Sequence, residues 1–403
     1  MENTTFKKKY TAIPLTELEQ SAFCQTTQPK SETLEVEFTV GVRWQSLPIT
    51  YMKLPPKEIE EQIRTKRAIL GKEILILGHH YQRDEIIQFA DITGDSFKLA
   101  QHAANNTDAK VIIFCGVHFM AETAAALAQS NQKVILPNMT AGCSMSDMAK
   151  PEDVLDCWNS LKEVLGPNSI TPITYMNSAA SIKALCGENN GYVCTSSNAG
   201  KVMEKAFGQT DKVLFLPDQH LGRNTAKTLG IPLEKMIVWN PFKDFGGNSL
   251  EAIKESKVIL WKGHCSVHTR FNIDQISNAR STYPDINILV HPECTMEVVD
   301  SADYVGSTEY IRKIVEDAPE GSIWGIGTEI SMVNRLSKAN PNKTIFCLDP
   351  IVCPCSTMYR IHPAYLLWVI DNLLEGIIVN AIDLESSIAR NSKIALDRML
   401  SIK

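Results

Sequence analysis

EILILGHHY, at residues 73–81, has an apolar run of strand length followed by a glycine and a polar turn. Similar short apolar runs recur along the chain, and segments of helical periodicity separate them. They are KVIIFCG (110–116), KVILPN (133–138), PITYMNS (172–178), GYVCTSS (191–197), KVLFLPD (212–218), MIVWN (236–240), KVILWKGH (257–264), NILVHPE (287–293), ADYVGST (302–308), SIWGIGTE (322–329) and TIFCLDP (344–350). Twelve strands alternating with helices predict an α/β protein with parallel sheets covered on both faces.

The length of 403 residues exceeds what one hydrophobic core usually organises. Three small sheets of about four strands fit this length better than one very wide sheet. We therefore predict three similar α/β domains at about residues 57–148, 149–268 and 269–403, the last with additional C-terminal helices. Residues 57–71 have helical spacing and end in glycine, which predicts a helix. Residues 1–56 lack periodicity and are predicted to be an N-terminal extension that lies over the body and carries no function.

Composition excludes several classes of protein. The formal net charge is −6, which argues against a chain that neutralises nucleic-acid phosphates. No apolar run reaches the roughly 18 residues of a membrane span, and no apolar segment follows the lysines near the N-terminus. We therefore expect a cytoplasmic protein with no nucleic-acid or membrane partner. Eleven cysteines, an odd number, do not form a fully paired disulfide framework, so some are expected to bind metal.

Polar side chains accumulate where the predicted strands end. Ligands of parallel sheets bind beyond the carboxyl ends of the strands, where the following turns are free to vary. A pair such as His291 and Glu293 in one turn suits general acid/base chemistry, although a His and a Glu in a turn are more often merely solvated. The strand-end residues are His79, His80, Tyr81, Cys143, Tyr175, Asn177, Asp218, Cys265, His268, His291, Glu293, Glu329, Cys353 and Cys355.

Three hydroxyl-bearing turns open predicted helices, at Ser96, at Ser196 and Ser197, and at Ser307 and Thr308. Each hydroxyl could simply cap the helix that follows it. Alternatively, three helix N-termini with free amides, one from each domain, would form adjacent anion sites if the domains face one another.

The cysteines divide into two groups. Cys115, Cys194 and Cys347 lie within apolar strands and are predicted to be core residues, while Cys24, Cys157 and Cys186 are predicted in the extension, a helix and a loop. Cys143, Cys265 and the pair Cys353/Cys355 instead occupy turns, near the end of each third of the chain. Three thiolates on a four-iron cluster leave one iron open to act as a Lewis acid, but a zinc ion with three cysteines and water fits equally well.

These motifs resemble the quinolinate synthase family, iron–sulfur enzymes of NAD biosynthesis, over nearly all of the chain after Lys57. The segments that carry the resemblance are GHHYQRDEI (78–86), ADITGDSFKLA (90–100), GVHFMAETA (116–124), YMNSAASIKA (175–184), TSSNAGKV (195–202), LPDQHLG (216–222), WKGHCSVH (261–268), HPEC (291–294), GST (306–308) and CPCSTM (353–358).

The resemblance implies three α/β/α domains around a central active-site cavity and a [4Fe-4S] cluster bound by Cys143, Cys265 and Cys355, with Cys353 as an alternative ligand. It implies condensation of iminoaspartate with dihydroxyacetone phosphate to quinolinate, releasing phosphate and two waters, with an open iron as Lewis acid for dehydration. Transient contact with the iminoaspartate-producing enzyme is also expected.

The same resemblance implies roles for individual residues. Glu293 would be the principal acid/base, and Tyr81 and His291 would assist proton transfer. Ser96, Ser196 and Thr308 would hold carboxylate and phosphate oxygens. The remaining substrate-binding residues would be His79, Tyr175, Asn177 and His268.

Two other hypotheses remain at this stage. A different hydro-lyase would share the cluster but would not require a phosphorylated substrate. A redox sensor would instead switch Cys353 and Cys355 between thiols and a strained disulfide. Sensing alone would not require His, Glu, Tyr and Ser side chains at so many strand ends, which favours an enzyme.

Overall fold

The computed structural model describes residues 32–38, 44–351 and 354–402. Within these residues the chain forms three sheets with helices between the strands. The strands are β1 (Ile74–His79), β2 (Ile92–Gly94), β3 (Val111–Cys115), β4 (Lys133–Ile135), β5 (Thr171–Tyr175), β6 (Tyr192–Cys194), β7 (Val213–Leu216), β8 (Met236–Trp239), β9 (Val258–Trp261), β10 (Asn287–Val290), β11 (Tyr304–Val305), β12 (Ile323–Gly327) and β13 (Thr344–Cys347).

The helices connect the strands and extend beyond them at both ends. They are α1 (Leu34–Phe38), α2 (Ile49–Met52), α3 (Pro56–Leu70), α4 (Asp84–Ile87), α5 (Ser96–Asn105), α6 (His118–Leu127), α7 (Ser144–Asp147), α8 (Pro151–Leu165), α9 (Ala180–Glu188), α10 (Ala199–Phe207), α11 (Gln219–Thr228), α12 (Leu250–Glu255), α13 (Ile273–Thr282), α14 (Met296–Ser301), α15 (Thr308–Asp317), α16 (Ile330–Ala339), α17 (Pro363–Leu374) and α18 (Ser386–Ser401). The predicted helix at 57–71 is confirmed as α3, and it ends at Gly71, whose φ of 53° suits glycine.

The three sheets confirm the predicted α/β class. Their strand orders are β2-β1-β3-β4, β6-β5-β7-β9-β8 and β11-β10-β12-β13, and every strand pairing within them is parallel. All twelve predicted runs form strands, and β2 is the additional one. The sheets occupy residues 74–135, 171–261 and 287–347. The domain boundaries at 57–148, 149–268 and 269–403 stay a prediction.

One strand order underlies all three sheets. In each, the first strand lies between the second and the third, and one further strand follows the third. The second sheet adds β8 at its edge, beyond β9. Because the strands of every sheet are parallel, equivalent strands deliver their following turns to equivalent places. The fold is therefore a threefold repeat of one unit, and functional side chains can be compared between units.

The C-terminal helix α18 packs closely against α9. A Cβ atom added to Gly187 in α9 would lie 1.9 Å from the backbone oxygen of Asn391 in α18, so only glycine fits there. The predicted loop position of Cys186 is wrong. Helix α9 continues through Cys186 to Glu188, and Cys186 is buried where α9 packs against α18.

Part of the N-terminal extension packs on the body. The ring of Trp44 stacks on that of Tyr365 in α17, with centroids 6.3 Å apart, and the Tyr365 hydroxyl donates to the backbone oxygen of Gln45 over 2.5 Å. Cys24 and Cys353 lie outside the described residues. None of the helices in the described part of the chain combines the length and the apolar character that a membrane crossing requires.

His362 gives the fold a testable dependence on pH. Its Nδ1 accepts from the amide of Ala364 over 3.0 Å, so it caps α17 as a neutral ring, and burial lowers its pKa to about 4. The unfolded chain binds a proton at this residue with a pKa of about 6.5, so the stability it contributes is lost as pH falls below that value. Between pH 7.5 and pH 5 we expect this loss to reach about 2 kcal/mol.

The comparison with His362→Asn isolates this effect, because Asn also caps helices but does not titrate. Urea unfolding at both pH values should show the stability advantage of the unsubstituted protein shrinking by that amount. An advantage that stayed constant over this range would show that His362 does not carry the effect.

Candidate active site

The carboxyl ends of strands from all three sheets open onto one cavity with an empty volume of about 650 Å³. It brings together twelve of the thirteen residues that the family resemblance nominates as catalytic, substrate-binding or cluster-binding. These are His79, Tyr81, Ser96, Cys143, Tyr175, Asn177, Ser196, Cys265, His291, Glu293, Thr308 and Cys355. The thirteenth, His268, does not line the cavity, but it is hydrogen-bonded to Glu293, which does.

Equivalent strands of the three repeats supply equivalent kinds of side chain. The strands at the first position, β1, β5 and β10, end beside His79 and Tyr81, Tyr175 and Asn177, and His291 and Glu293. The strands at the second position, β2, β6 and β11, precede Ser96, Ser196 and Thr308. The turns after β4, β9 and β13 carry Cys143, Cys265 and Cys355. Each repeat thus contributes a polar or aromatic pair, a hydroxyl and a thiol.

The three thiols face the same space. Burial, with a smaller contribution from the nearby Cys355 thiol, raises the pKa of Cys143 to about 12. Burial likewise raises the pKa of Cys265, with smaller contributions from Glu293 and from the Cys355 and Cys143 thiols. Each of the three sulfurs therefore lies within electrostatic reach of at least one other, although far apart in sequence. Apolar side chains of the same cavity accompany them, namely Val117, Phe119, Met120, Met145, Val267 and Met358.

This donor set fits a metal centre. Neither Lys nor Arg is among the described residues that line the cavity. Three buried thiols without a cation stay protonated, whereas a metal ion supplies the positive charge that makes thiolates stable there. Among the described residues of the lining there are three cysteines and no fourth thiol, a set that fits either a cluster or a zinc ion with one open position.

A second arrangement of donors overlaps with the first. One ligand atom each of Cys265, His268 and Glu293 lies within 4.8 Å of the others. His268 and Glu293 are already joined by a hydrogen bond of 2.8 Å from Nδ1 to Oε2, which requires no metal to explain it. The trio therefore marks the place where the hydrogen-bonded pair of His268 and Glu293 lies next to the Cys265 thiol.

Glu293 is the centre of a buried hydrogen-bond network. Its Oε1 accepts from the Tyr175 hydroxyl over 2.6 Å, and its Oε2 faces Nδ1 of His268. Burial alone would raise the pKa of Glu293, but the imidazoles of His268 and His291 and these hydrogen bonds hold it well below its usual range. The carboxylate is therefore ionised at neutral pH and can accept a proton.

The network continues from His268 into the third and first sheets. Nε2 of His268 lies 3.1 Å from the Thr328 hydroxyl and 3.3 Å from the Tyr81 hydroxyl. The two hydroxyls are 2.6 Å apart. A continuous path of polar groups thus joins Tyr175, Glu293, His268, Thr328 and Tyr81. This path can hold a proton at either end.

The two tyrosines of the cavity and the imidazoles of His79 and His291 stay neutral. Burial, followed by the charge of Glu293, raises the pKa of Tyr81 and of Tyr175 well above the usual value, so both phenols remain donors. Burial lowers the pKa of His291 to about 3. His79 accepts from the amide of Tyr81 at Nδ1 over 3.1 Å, and burial lowers its pKa too. Both imidazoles therefore act as neutral hydrogen-bonding groups.

Ser96 and Thr308 lie at helix N-termini, but capping does not account for them. Asp95 caps α5 by accepting from the amide of Lys98, and Ser307 caps α15 by accepting from the amide of Tyr310. Ser96 and Thr308 are the first residues of these helices, and their hydroxyls reach the cavity instead. Oδ1 of Asn177, also in the lining, is buried and has no hydrogen-bond partner among the described residues. The cavity therefore offers free groups to a polar ligand.

Sequence reasoning missed Thr328 and left Asp218 and Glu329 without roles. Glu329 accepts from the amide of Cys355 over 3.2 Å and so supports that turn. Asp218 caps α11, and burial, followed by the charge of Glu293, raises its pKa. Position at a strand end was the available signal for all three, but it gives no indication of which groups contact each other.

Comparison with known proteins gives one consistent result. The family model described as Quinolinate synthetase A protein matches residues 61–401. The chain is 52% identical over 360 residues to the quinolinate synthase of Corynebacterium glutamicum, covering 89% of this chain and 91% of that protein. It is 53% identical over 356 residues to the quinolinate synthase of Acidobacterium capsulatum, covering 88% of this chain and 95% of that protein.

Proposed function

The chain belongs to the quinolinate synthase family of enzymes, and on this premise we propose that it condenses iminoaspartate with dihydroxyacetone phosphate. The products are quinolinate, one phosphate and two waters, which balances the atoms of the two substrates. The observation that supports this proposal best is the shared cavity, in which thiols from three repeats lie beside the Glu293 network.

Cys143, Cys265 and Cys355 are the residues that would hold a [4Fe-4S] cluster. When bound, such a cluster with one open iron supplies a Lewis acid for the loss of hydroxyl groups. The apolar side chains around the thiols would exclude water from that end of the cavity.

Glu293 would act as the principal base, because its carboxylate is ionised and two hydrogen bonds hold it in position in the cavity. A proton that it takes from a substrate carbon can pass to His268 and onward to Thr328 and Tyr81. The Tyr81 phenol, held protonated by burial, would return a proton to a departing hydroxyl, and the neutral imidazole of His291 would assist proton transfer.

The anionic groups of the substrates require their own contacts. Ser96, Ser196 and Thr308 would donate to carboxylate and phosphate oxygens, beside the N-termini of α5 and α15. A second, open pocket shares Asp95 and Ser196 with the cavity and is also lined by Lys98 and Lys313. These lysines would attract the anions toward the hydroxyls. An iminoaspartate-producing enzyme would be a transient partner, since the imine is unstable in water.

The deciding experiment is to purify the protein without oxygen and to measure its iron content, its electron paramagnetic resonance spectrum and its formation of quinolinate. About four irons per chain, and product only when both substrates are present, are expected. Product formed without dihydroxyacetone phosphate would identify a different hydro-lyase. Full activity in a protein that contains zinc or no metal would exclude the cluster.

Replacing Ser196 with Ala is expected to raise the KM for at least one substrate by roughly tenfold or more, because a hydrogen bond to a charged group contributes about 1.5–3 kcal/mol. Steady-state kinetics with each substrate varied in turn measures this. Ser281→Ala is the matched control, since the Ser281 hydroxyl only bonds the backbone of Ser277 on an exposed helix face. Unchanged KM values for both substrates would remove Ser196 from the binding site.

A further inference from the structure

Arg83 connects three segments that are distant in sequence. It follows the turn that carries His79 and Tyr81, and it is only 4% exposed. Its guanidinium makes two hydrogen bonds to the carboxylate of Glu37, of 3.0 Å from Nη1 and 2.8 Å from Nη2. Its Cζ also lies 4.1 Å from the centre of the Tyr359 ring. A single cation thus contacts the N-terminal extension, the Tyr81 turn and the chain just after Cys355.

The contact with Tyr359 bears directly on the thiol of the third repeat. The amide of Tyr359 donates to the backbone oxygen of Cys355 over 2.9 Å. Beside it, Nε2 of the buried Gln82 lies 3.4 Å from Sδ of Met358, which lines the cavity. The turn that presents Cys355 is therefore held against the turn that presents Tyr81 by two adjacent contacts.

Glu37 is the main counter-charge for Arg83. Glu37 is 7% exposed, and Leu34 anchors its helix, α1, in the core. The other acidic neighbour, Glu85, is 3.4 Å from Arg83 Nε and more exposed. A buried cation that loses a bidentate partner is strongly unfavourable, so the surrounding segments would rearrange to hydrate it.

We propose that Glu37, in the N-terminal extension, is a positioning residue that fixes the turns of Tyr81 and Cys355 through Arg83. This differs from the sequence prediction that the extension carries no function. The matched family region begins at residue 61, so Glu37 lies outside it. The importance of the Cys355 position for metal binding rests on the proposed function. The positioning of the Cys355 turn by Glu37 does not depend on that function.

The test measures the accessibility of cysteines in metal-free protein. Wild-type protein and Glu37→Gln are treated with iodoacetamide without substrate, and alkylation of Cys355, Cys143 and Cys157 is followed by peptide mass spectrometry. We expect the rate at Cys355 to rise about tenfold in the variant, because local opening of its turn becomes easier. The rate at Cys157, which lies in the core of the second repeat, should stay within about twofold, and the rate at Cys143, whose thiol lies near that of Cys355, should rise less than the rate at Cys355.

Glu35→Gln is the matched control, because Glu35 lies on the same helix, has a side chain 52% exposed and forms an ion pair with the exposed Lys53 at 3.7 Å. It should leave all three rates unchanged. If Glu37→Gln does not fold, Glu37→Asp takes its place, because it retains the charge but shortens the side chain. A selective increase in the alkylation rate at Cys355 is again the expected result.

The outcomes separate clearly. A selective increase at Cys355 supports the proposal. Equal increases at all three cysteines would show a general loss of stability, and unchanged rates would show that the turn does not depend on Glu37; either result overturns it. Absence of iron-dependent activity would overturn the proposed function, but the alkylation rates would still test the role of Glu37.

Discussion

Serine in place of Cys265 is expected to remove the metal centre and to lower quinolinate formation by at least about a thousandfold. Lewis-acid stabilisation of developing charge contributes several kcal/mol, and each 1.36 kcal/mol is a factor of ten in rate. The serine hydroxyl is not a thiolate ligand, and only two of the three cavity thiols would remain. Iron content, the visible absorbance shoulder and activity of anaerobically purified variant and wild-type protein measure the effect.

Cys157→Ala is the matched control for this substitution. Cys157 is equally a free thiol, but it lies in α8 within the core of the second repeat and does not line the cavity. Its variant should retain iron and activity, with only a loss of stability. A Cys265→Ser protein that kept both its iron and its turnover would show that Cys265 is not a ligand.

Replacing Glu293 with Gln is expected to lower kcat by about 10²–10⁴-fold, the usual contribution of a positioned acid or base. Glutamine has nearly the same shape and can still accept from Tyr175, but it cannot take a proton. Because the three thiols are intact, the iron content should stay at the wild-type level. Single-turnover measurements alongside the iron assay separate lost chemistry from lost metal.

Glu297→Gln gives the corresponding control, since Glu297 is an exposed residue of α14 four positions further on. It should leave kcat within about twofold. A Glu293→Gln variant that retained kcat would assign proton transfer to another group, whereas one that lost its iron would point to Glu293 as part of the metal site.

The fold was largely predictable because the buried strands are continuous apolar runs. Twelve such runs are strands in three parallel sheets, and α3 ends where Gly71 predicts. β2, Ile92–Gly94, was missed because its sequence ITG, between Asp91 and Asp95, contains no apolar run. Cys186 was misassigned because the Gly and Asn residues after it suggested a loop, whereas packing against α18 keeps the segment helical.

The candidate site was predictable in its members but not in its contacts. Strand-end position and the family motifs nominated the lining residues. They gave no sign that His268 lies behind Glu293 or that Thr328 joins it to Tyr81. The pairing of Glu37 with Arg83 joins residues 46 positions apart, one of them in a segment without periodicity. Such pairings depend on tertiary packing, which a linear pattern does not contain.

The common strand order of the three repeats has a consequence for how this catalyst could vary. Each unit brings one thiol, one hydroxyl and one polar or aromatic pair to the shared centre, so a fragment containing two units would hold an unfinished pocket. We therefore expect prematurely terminated copies to be inactive. At the same time, the side chains at equivalent places can diverge independently, and a nearly symmetrical framework can hold a reactant whose two ends differ chemically.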